Sequence, residues 1–246
     1  MLLTWIIGFS VLGSVGAVAG AAAMLLFPEA VRRRIVPALV SYATGTLLGA
    51  AFLGMLPAAL GQAPVRGVMA TVLAGMLAFF VLEKLVLWRH FHDDGTTSHG
   101  TAAPLILFGD AFHNFVDGVV IAAAFLVSVP LGVATALAVI AHEVPQEVGD
   151  FAILLDSGYS RGRALLLNTL SASATLPGAV LAYLWLDDVR QAVPYILAVS
   201  AASFIYIATA DLIPGLHRQV TAWASARQLM LMLAGIATIT IFRLGG

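Results

Sequence analysis

The sequence contains no cysteine and few charged residues. Without cysteine among its 246 residues, disulfides, thiolate metal sites and cysteine nucleophiles are excluded. Only 10% of the residues are charged, against about 25% in soluble domains, so an aqueous surface could not be covered. The net charge of −1 offers no basic face and argues against a nucleic-acid-binding protein. Because 61% of the residues are apolar, disorder is excluded too, and the composition is typical of a polytopic membrane protein.

Long apolar runs predict how the chain crosses the bilayer. A membrane-spanning helix needs roughly 20 mainly apolar residues. Eight stretches fit, at residues 4–26, 36–60, 66–88, 104–127, 131–155, 164–186, 192–213 and 227–244. They occupy most of the chain, so we predict an all-α integral membrane protein with a single transmembrane domain over residues 1–246. The longest predicted loop is the polar, histidine-containing segment 89–101.

Basic residues are distributed unevenly over the predicted loops. With the N-terminus outside, nine fall on the inner side and three on the outer side, which favours this orientation because cytoplasmic loops are enriched in Lys and Arg. The inner residues are Arg32, Arg33, Arg34, Lys84, Arg89, Arg161, Arg163, Arg218 and Arg227; the outer ones are Arg66, Arg190 and Arg243. Both termini are therefore predicted to lie outside, and segment 89–101 is predicted to be cytoplasmic. No basic residue precedes the first span, so we expect a retained helix and not a cleaved signal peptide.

The fourth and fifth predicted spans are unusual because they carry many polar and ionisable residues. The fourth contains Asp110, His113, Asn114 and Asp117, and the fifth contains His142, Glu143, Gln146, Glu147 and Asp150. At about 100° per residue, each set falls on one stripe of its helix. One ionisable group at the bilayer centre costs about 2.5–3.5 kcal/mol, so the stripes should face each other or water. Both imidazoles lie roughly 14–16 Å deep, near the middle of a hydrocarbon core about 30 Å thick.

This set of side chains predicts a midmembrane metal site. Imidazoles, carboxylates and amides without sulfur form a borderline-to-hard ligand set, which suits Zn²⁺, Fe²⁺, Mn²⁺, Co²⁺ or Cd²⁺. We interpret four acids as an exit path that leads to the predicted cytoplasmic side: Asp110, Glu147, Asp150 and Asp211. Three histidines of the predicted cytoplasmic loop are candidates for collecting metal, or are plain solvated residues: His90, His92 and His99.

Two other functions fit parts of the same pattern. Chains of Asp, Glu and His also carry protons, so a proton-coupled carrier or channel for another solute is a competing hypothesis. The sequence from His142 to Gln146 begins like the zinc-protease motif HExxH, but Gln146 stands where the second histidine is needed and Pro145 interrupts the turn. An intramembrane metalloprotease is therefore the weaker alternative.

Four segments resemble a known family. HNFVDG (113–118) and HEVPQEVGDFAILLDSG (142–158) are similar to the signature helices of the ZIP (Zrt/Irt-like) metal-ion transporters, nearest to the LIV-1-like and related bacterial branch. FFVLEKLVLWRHFHD (79–93) and ADLIPGLH (210–217) also look like segments of that family. The resemblance implies eight helices with both termini outside, a homodimer, a midmembrane metal site that is often binuclear, and an elevator-like movement of helices one, four, five and six against the others.

The resemblance also implies roles for single residues. Carried over position by position, it gives a primary metal site of His113, Asp117, His142 and Gln146 and a second site of Asn114 and Glu143 that shares Asp117 and Gln146. Three departures stand out: Gln146 replaces the His or Glu of many relatives, no acid occurs on helix six, and Gly215 replaces an acid near the exit. We expect a non-enzymatic uptake transporter of the cell membrane (inner or plasma membrane), with zinc as its foremost substrate and no cofactor besides the transported metal.

Overall fold

The computed structural model describes residues 1–24, 26–91, 98–186, 190–218 and 221–244. Within these ranges nearly all residues are helical and no strand occurs. Eight helices in this part of the chain are long and apolar enough to cross a membrane: Leu2–Met24 (α1), Ala30–Leu60 (α2), Val65–Lys84 (α3), Leu107–Val127 (α4), Val129–Leu155 (α5), Arg161–Trp185 (α6), Val193–Leu216 (α7) and Ala222–Phe242 (α8). The predicted all-α fold class with eight spans is confirmed, whereas the side that each terminus faces stays a prediction.

Several helices begin earlier than hydropathy predicts, and α2 and α8 show the reason, because their first turns are polar. The second span is predicted from residue 36, but the helix that contains α2 begins at Glu29 and carries the three arginines in its first turns. The eighth span is predicted from residue 227, but α8 begins at Ala222. There the Thr221 hydroxyl accepts a hydrogen bond of 3.2 Å from the Ala224 backbone N–H, which caps the helix.

The predicted loop 89–101 is partly helical. The helix that contains α3 continues to Phe91, and the one that contains α4 begins at Ser98. His92 lies outside the described residues, as do the side chains of His90 and His99. Metal collection by these three histidines therefore stays a prediction.

The eight helices pack as two bundles. The first bundle consists of α1, α4, α5 and α6, which pack mainly on one another, and the second consists of α2, α3, α7 and α8. Along the boundary, α5 contacts α2 and α8. Hydrogen bonds link the helices of the second bundle to one another: Tyr42 with Thr238, Tyr206 with Glu83, and Gln228 with the Leu216 carbonyl.

Each bundle contains one crossing at which two helix backbones touch through glycine. In the first bundle, a methyl group at Gly118 of α4 would collide with the Thr175 carbonyl of α6, and one at Gly178 of α6 would collide with the carbonyl of Phe115. In the second bundle, Gly45 of α2 meets the backbone of α8 in the same way. Small residues permit this close approach, which is common where membrane helices pack.

Several helices depart from regular α geometry. The α2 and α7 spans each contain a π-helical segment, Ala50–Met55 and Ile207–Leu212, and such segments often occur at functional sites. The α6 span consists of two pieces, Arg161–Ala172 and Thr175–Leu186. Pro145 lies inside α5 and leaves the carbonyl four residues earlier without its usual helical donor. The breaks in α5 and α6 lie beside the polar residues of α4.

Candidate metal centre

The polar stripes of α4 and α5 face each other inside the first bundle. The two helices are joined through Ser128 alone, whose hydroxyl accepts a hydrogen bond of 3.3 Å from the Leu131 backbone N–H and so caps α5. This short link makes the helices antiparallel neighbours, and it brings their central residues together. The side chains of Asp117, His142 and Glu143 are 1%, 1% and 0% exposed, and that of His113 is 20% exposed.

Four side chains converge at this point. His142 Nε2 lies 3.2 Å from Asp117 Oδ2 and 3.3 Å from Glu143 Oε1. His113 Nε2 lies 3.8 Å from the same Asp117 oxygen, 3.4 Å from the same Glu143 oxygen and 3.2 Å from His142 Nε2. One ligand atom from each of the four residues lies within 4.8 Å of the others, and we call this group the four-ligand cluster.

The spacing in the four-ligand cluster suits a tetrahedral metal. Nitrogen and oxygen ligands bind Zn²⁺ at about 2.0–2.1 Å, so neighbouring corners of the tetrahedron lie about 3.4 Å apart. The measured separations run from 3.2 to 3.8 Å. These five separations are therefore compatible with a metal bound by four ligands.

The hydrogen bond on the far side of the His142 ring determines which nitrogen faces the cluster. His142 Nδ1 lies 3.0 Å from the Ala138 carbonyl oxygen, which can only accept a hydrogen bond. Nδ1 therefore carries the proton, and in the neutral ring Nε2 presents its lone pair to the cluster. A ring held in this way by a backbone carbonyl is the arrangement that metal-binding histidines commonly have.

The carboxylates of the cluster have no protein donor other than the two imidazoles among the described residues. Both oxygens of Asp117 and both of Glu143 are buried and accept no hydrogen bond from any other group in that part of the chain. A buried carboxylate without compensation is costly, and buried charges are normally paired or coordinate a metal. Two carboxylates and two neutral imidazoles carry a charge of −2, which balances one divalent cation.

A second acidic group lies next to the first. Asp110, Glu143 and Glu147 are 5%, 0% and 0% exposed, and one carboxylate oxygen from each lies within 4.8 Å of the others. We call this group the three-carboxylate cluster. Asp110 precedes His113 by three residues and Glu147 follows Glu143 by four, about one helical turn in each case, so these two carboxylates lie about 5 Å nearer to the predicted cytoplasmic side. Glu143 belongs to both clusters.

The two predicted amide ligands contact Asp110 in this arrangement. Asn114 Nδ2 donates to Asp110 Oδ1 at 3.0 Å, and Gln146 Nε2 donates to the same oxygen at 3.3 Å. Asn114 Oδ1, the atom that would bind a metal, accepts a hydrogen bond of 3.0 Å from the Thr175 hydroxyl. Both amides thus orient Asp110, and metal binding by Asn114 and Gln146 stays a prediction.

Two of the predicted exit-path acids, Asp150 and Asp211, belong to neither cluster. Asp150 lies on α5 beyond the three-carboxylate cluster and is partly exposed. Asp211 is exposed, and it lies in the π-helical segment of α7. The structure therefore groups Asp110 and Glu147 with the cluster residues and leaves the other two acids nearer to the helix ends.

Polar residues of α6 support the site, which the stripes of α4 and α5 alone did not predict. Asn168 Nδ2 donates to Glu147 Oε2, and Asn168 is fully buried. Thr175, at the start of the second piece of α6, donates to Asn114. The available signal was the presence of Asn168 and Thr175 among the polar residues of this span. Their partners depend on how the helices pack.

The fold and this site define the protein as a polytopic membrane protein with a buried cluster of metal-ligand side chains on two neighbouring helices. The family model described as ZIP zinc transporter matches residues 90–243, more than half of the chain. The chain therefore belongs to the ZIP family, and the family resemblance is confirmed.

Curated relatives agree with this assignment. The chain is 35% identical over 223 residues to "Zinc transporter ZIP13" of Pongo abelii, with 84% of this chain and 66% of the relative covered. It is 31% identical to "Zinc transporter ZIP13" of Homo sapiens, with 84% and 70% covered. It is 29% identical to "Zinc transporter SLC39A7" of Mus musculus, with 85% and 63% covered. The chain thus spans about two thirds of the length of these relatives.

Proposed function

We propose that this protein carries a divalent transition metal, with zinc as the foremost substrate, into the cytoplasm through the four-ligand cluster on α4 and α5. The observation that carries the proposal is the convergence of one ligand atom each from His113, Asp117, His142 and Glu143 within 4.8 Å, with three of the four residues buried. The names of the relatives, all zinc transporters, support the choice of zinc.

The three-carboxylate cluster provides the next position along the path. The unpaired oxygens Asp110 Oδ2 and Glu147 Oε1 are buried and available to a cation that leaves the four-ligand cluster. Glu143 is common to both groups, so an ion can move inward without losing all of its protein ligands. Asp150 and Asp211 extend the path towards the predicted cytoplasmic side.

The packing of the helices supports an elevator-like movement of the first bundle against the second. Hydrogen bonds and the glycine crossing tie the clusters on α4 and α5 to α6, within the first bundle. At the boundary, His142 meets the ring of Phe204 on α7, with centroids 5.8 Å apart, and an apolar contact of this kind can slide. We further propose that the protein works as a homodimer in the cell membrane, which light scattering of the purified protein would test.

Uptake into vesicles tests the assignment of the metal site. The purified protein is reconstituted into liposomes that contain a zinc-sensitive dye, and the dye should report zinc entering the liposomes. His113→Ala and Asp117→Ala should each abolish this uptake, because each removes one ligand. His217→Ala is the matched control, since His217 is exposed at the end of α7. Undiminished uptake by both ligand variants would reject the site.

Thermal stability separates metal carriage from the competing proton path. A ligand that binds only the folded protein adds about 2.7 kcal/mol at 100 times its Kd. Zinc should therefore raise the Tm of the wild type, whereas a protein that moves only protons would show no shift.

A further inference from the structure

A basic cavity lies between helix ends, away from both clusters. It measures about 380 Å³ and is lined by the end of α1, the start of α2, the end of α5 and the start of α6. Its volume lies within the range of small-molecule pockets, about 300–1,000 Å³. The distribution of basic residues predicts that these helix ends face the cytoplasm, at the level of the lipid headgroups.

Two arginines supply the charge of this cavity. Arg32 lies in the first turn of α2, and Arg161 is the first residue of α6. Neither arginine has an acidic partner among the side chains that the structure describes. Both lie at helix N-termini, where the unpaired backbone N–H groups also favour an anion.

The remaining walls of the cavity are mostly apolar. Phe151 is 5% exposed and lies beside Leu155, while Leu165 is 39% exposed on the outer surface of α6. The cavity therefore combines two arginines with a mostly apolar wall that is partly exposed at Leu165. Inorganic phosphate would use only the first of these features, whereas a phospholipid would use both.

We propose that this cavity binds one anionic phospholipid from the cytoplasmic leaflet. The phosphate lies between the guanidinium groups of Arg32 and Arg161, which can donate paired hydrogen bonds to it. One acyl chain lies along Phe151, Leu155 and Leu165. Basic pockets between membrane helices on the cytoplasmic side have the chemistry that binds anionic headgroups.

The position of the cavity gives such a lipid a role in the movement of the bundles. Arg32 belongs to the second bundle, while Arg161 and Phe151 belong to the first. A lipid held by both bundles stabilises the arrangement described here, because a ligand shifts the equilibrium towards the state it binds best. This consequence, unlike binding itself, rests on the proposed function.

Native mass spectrometry of the purified full-length protein tests binding. Phosphatidylglycerol and phosphatidylcholine are titrated separately, without metal, and one retained phosphatidylglycerol is expected. The double variant Arg32→Gln/Arg161→Gln should bind it roughly 30-fold more weakly, from the contribution of each basic residue at an anionic membrane surface. The matched control is Arg34→Gln/Arg218→Gln, which removes the same charge from two exposed arginines outside the cavity.

A second variant tests the cavity without changing charge. A side chain at Gly162 would meet no atom within 4 Å of its first carbon, so Gly162→Trp fills open space in the cavity wall and should displace the lipid. Three results would overturn the proposal. The control double variant would lose phosphatidylglycerol to the same degree, the wild type would retain phosphatidylcholine equally well, or Gly162→Trp would still retain phosphatidylglycerol. Displacement by inorganic phosphate at equal concentration would make the cavity a phosphate site instead.

Vesicle uptake then distinguishes this inference from the proposed function. Phosphatidylglycerol should change the rate of zinc uptake by the wild type but not by Gly162→Trp. If the wild type binds the lipid but takes up no metal, the lipid site is supported and the transport proposal is rejected. A rate that depends on phosphatidylglycerol equally in both proteins would reject the role of the cavity in the movement of the bundles.

Discussion

The two bundles have similar packing but different interiors. Each is held by a crossing at which glycine lets two backbones touch, and each has hydrogen bonds between its helices. In the first bundle those bonds connect carboxylates and amides around the two clusters. In the second they connect hydroxyls, one carboxylate and an amide with a backbone carbonyl, and two of its helices contain π-helical segments. Both clusters are therefore built within one bundle, which under the proposed function allows the other bundle to serve as a frame.

The largest expected effect comes from breaking the glycine crossing of the first bundle. Gly118→Leu places a side chain against the Thr175 carbonyl, and the helices must separate. Overpacking of this kind should cost about 3 kcal/mol or more, and little folded protein should be recovered in detergent. Gly109→Leu on the same helix is the control, because a first carbon there meets no atom within 4 Å. Similar yields and Tm values for the two variants would contradict the close crossing.

Removal of one imidazole should abolish stabilisation by metal while keeping the fold. His142→Ala removes a buried ligand. Zinc at 100 times the wild-type Kd should therefore no longer raise the free energy of unfolding by about 2.7 kcal/mol. The measurement is the difference in Tm with and without zinc, with His217→Ala as control. A full zinc shift in His142→Ala would mean that metal binds elsewhere.

Loss of the α6 donor should destabilise the first bundle to a smaller degree. Asn168→Ala leaves Glu147 buried without its amide donor, and leaving a buried acceptor unsatisfied costs about 1–3 kcal/mol. The neighbouring Thr169→Ala should have a smaller effect, since the Thr169 hydroxyl bonds only within its own helix. The two variants are also compared in a Glu147→Gln background. If their difference in stability disappears there, the effect arises from the hydrogen bond between Asn168 and Glu147.

The smallest effect is expected in the second bundle. Tyr42→Phe removes the hydrogen bond to Thr238, which should lower stability by about 0.5–1.5 kcal/mol. Zinc affinity should not change, because neither residue belongs to a cluster. Tyr183→Phe serves as the comparison, since the Tyr183 hydroxyl has no hydrogen-bond partner among the described residues. A change in zinc affinity on Tyr42→Phe would show that the bundles are not independent.

Hydropathy predicted the number of helices well because a bilayer demands long apolar runs. It predicted the ends of α2 and α8 less well, because charged or polar first turns lower hydropathy without preventing a helix. The capping hydroxyl of Thr221 was the local signal for the start of α8.

Helical periodicity indicated which residues share a face, and the structure brings four of the six predicted ligands within 4.8 Å. Periodicity does not determine how one helix is aligned along its neighbour. For that reason the grouping of Asp110 with Glu147, and the hydrogen bond from Asn168, required the packed structure.

Under the proposed function, the membership of Glu143 in both clusters determines how firmly each ion is held. One carboxylate cannot give its full charge to two dications, so occupation of the inner position weakens the attraction at the outer one, and the reverse. Arrival of a new ion therefore promotes departure of the previous one. Strong capture at low metal concentration and rapid discharge at high concentration can then follow from the same side chain.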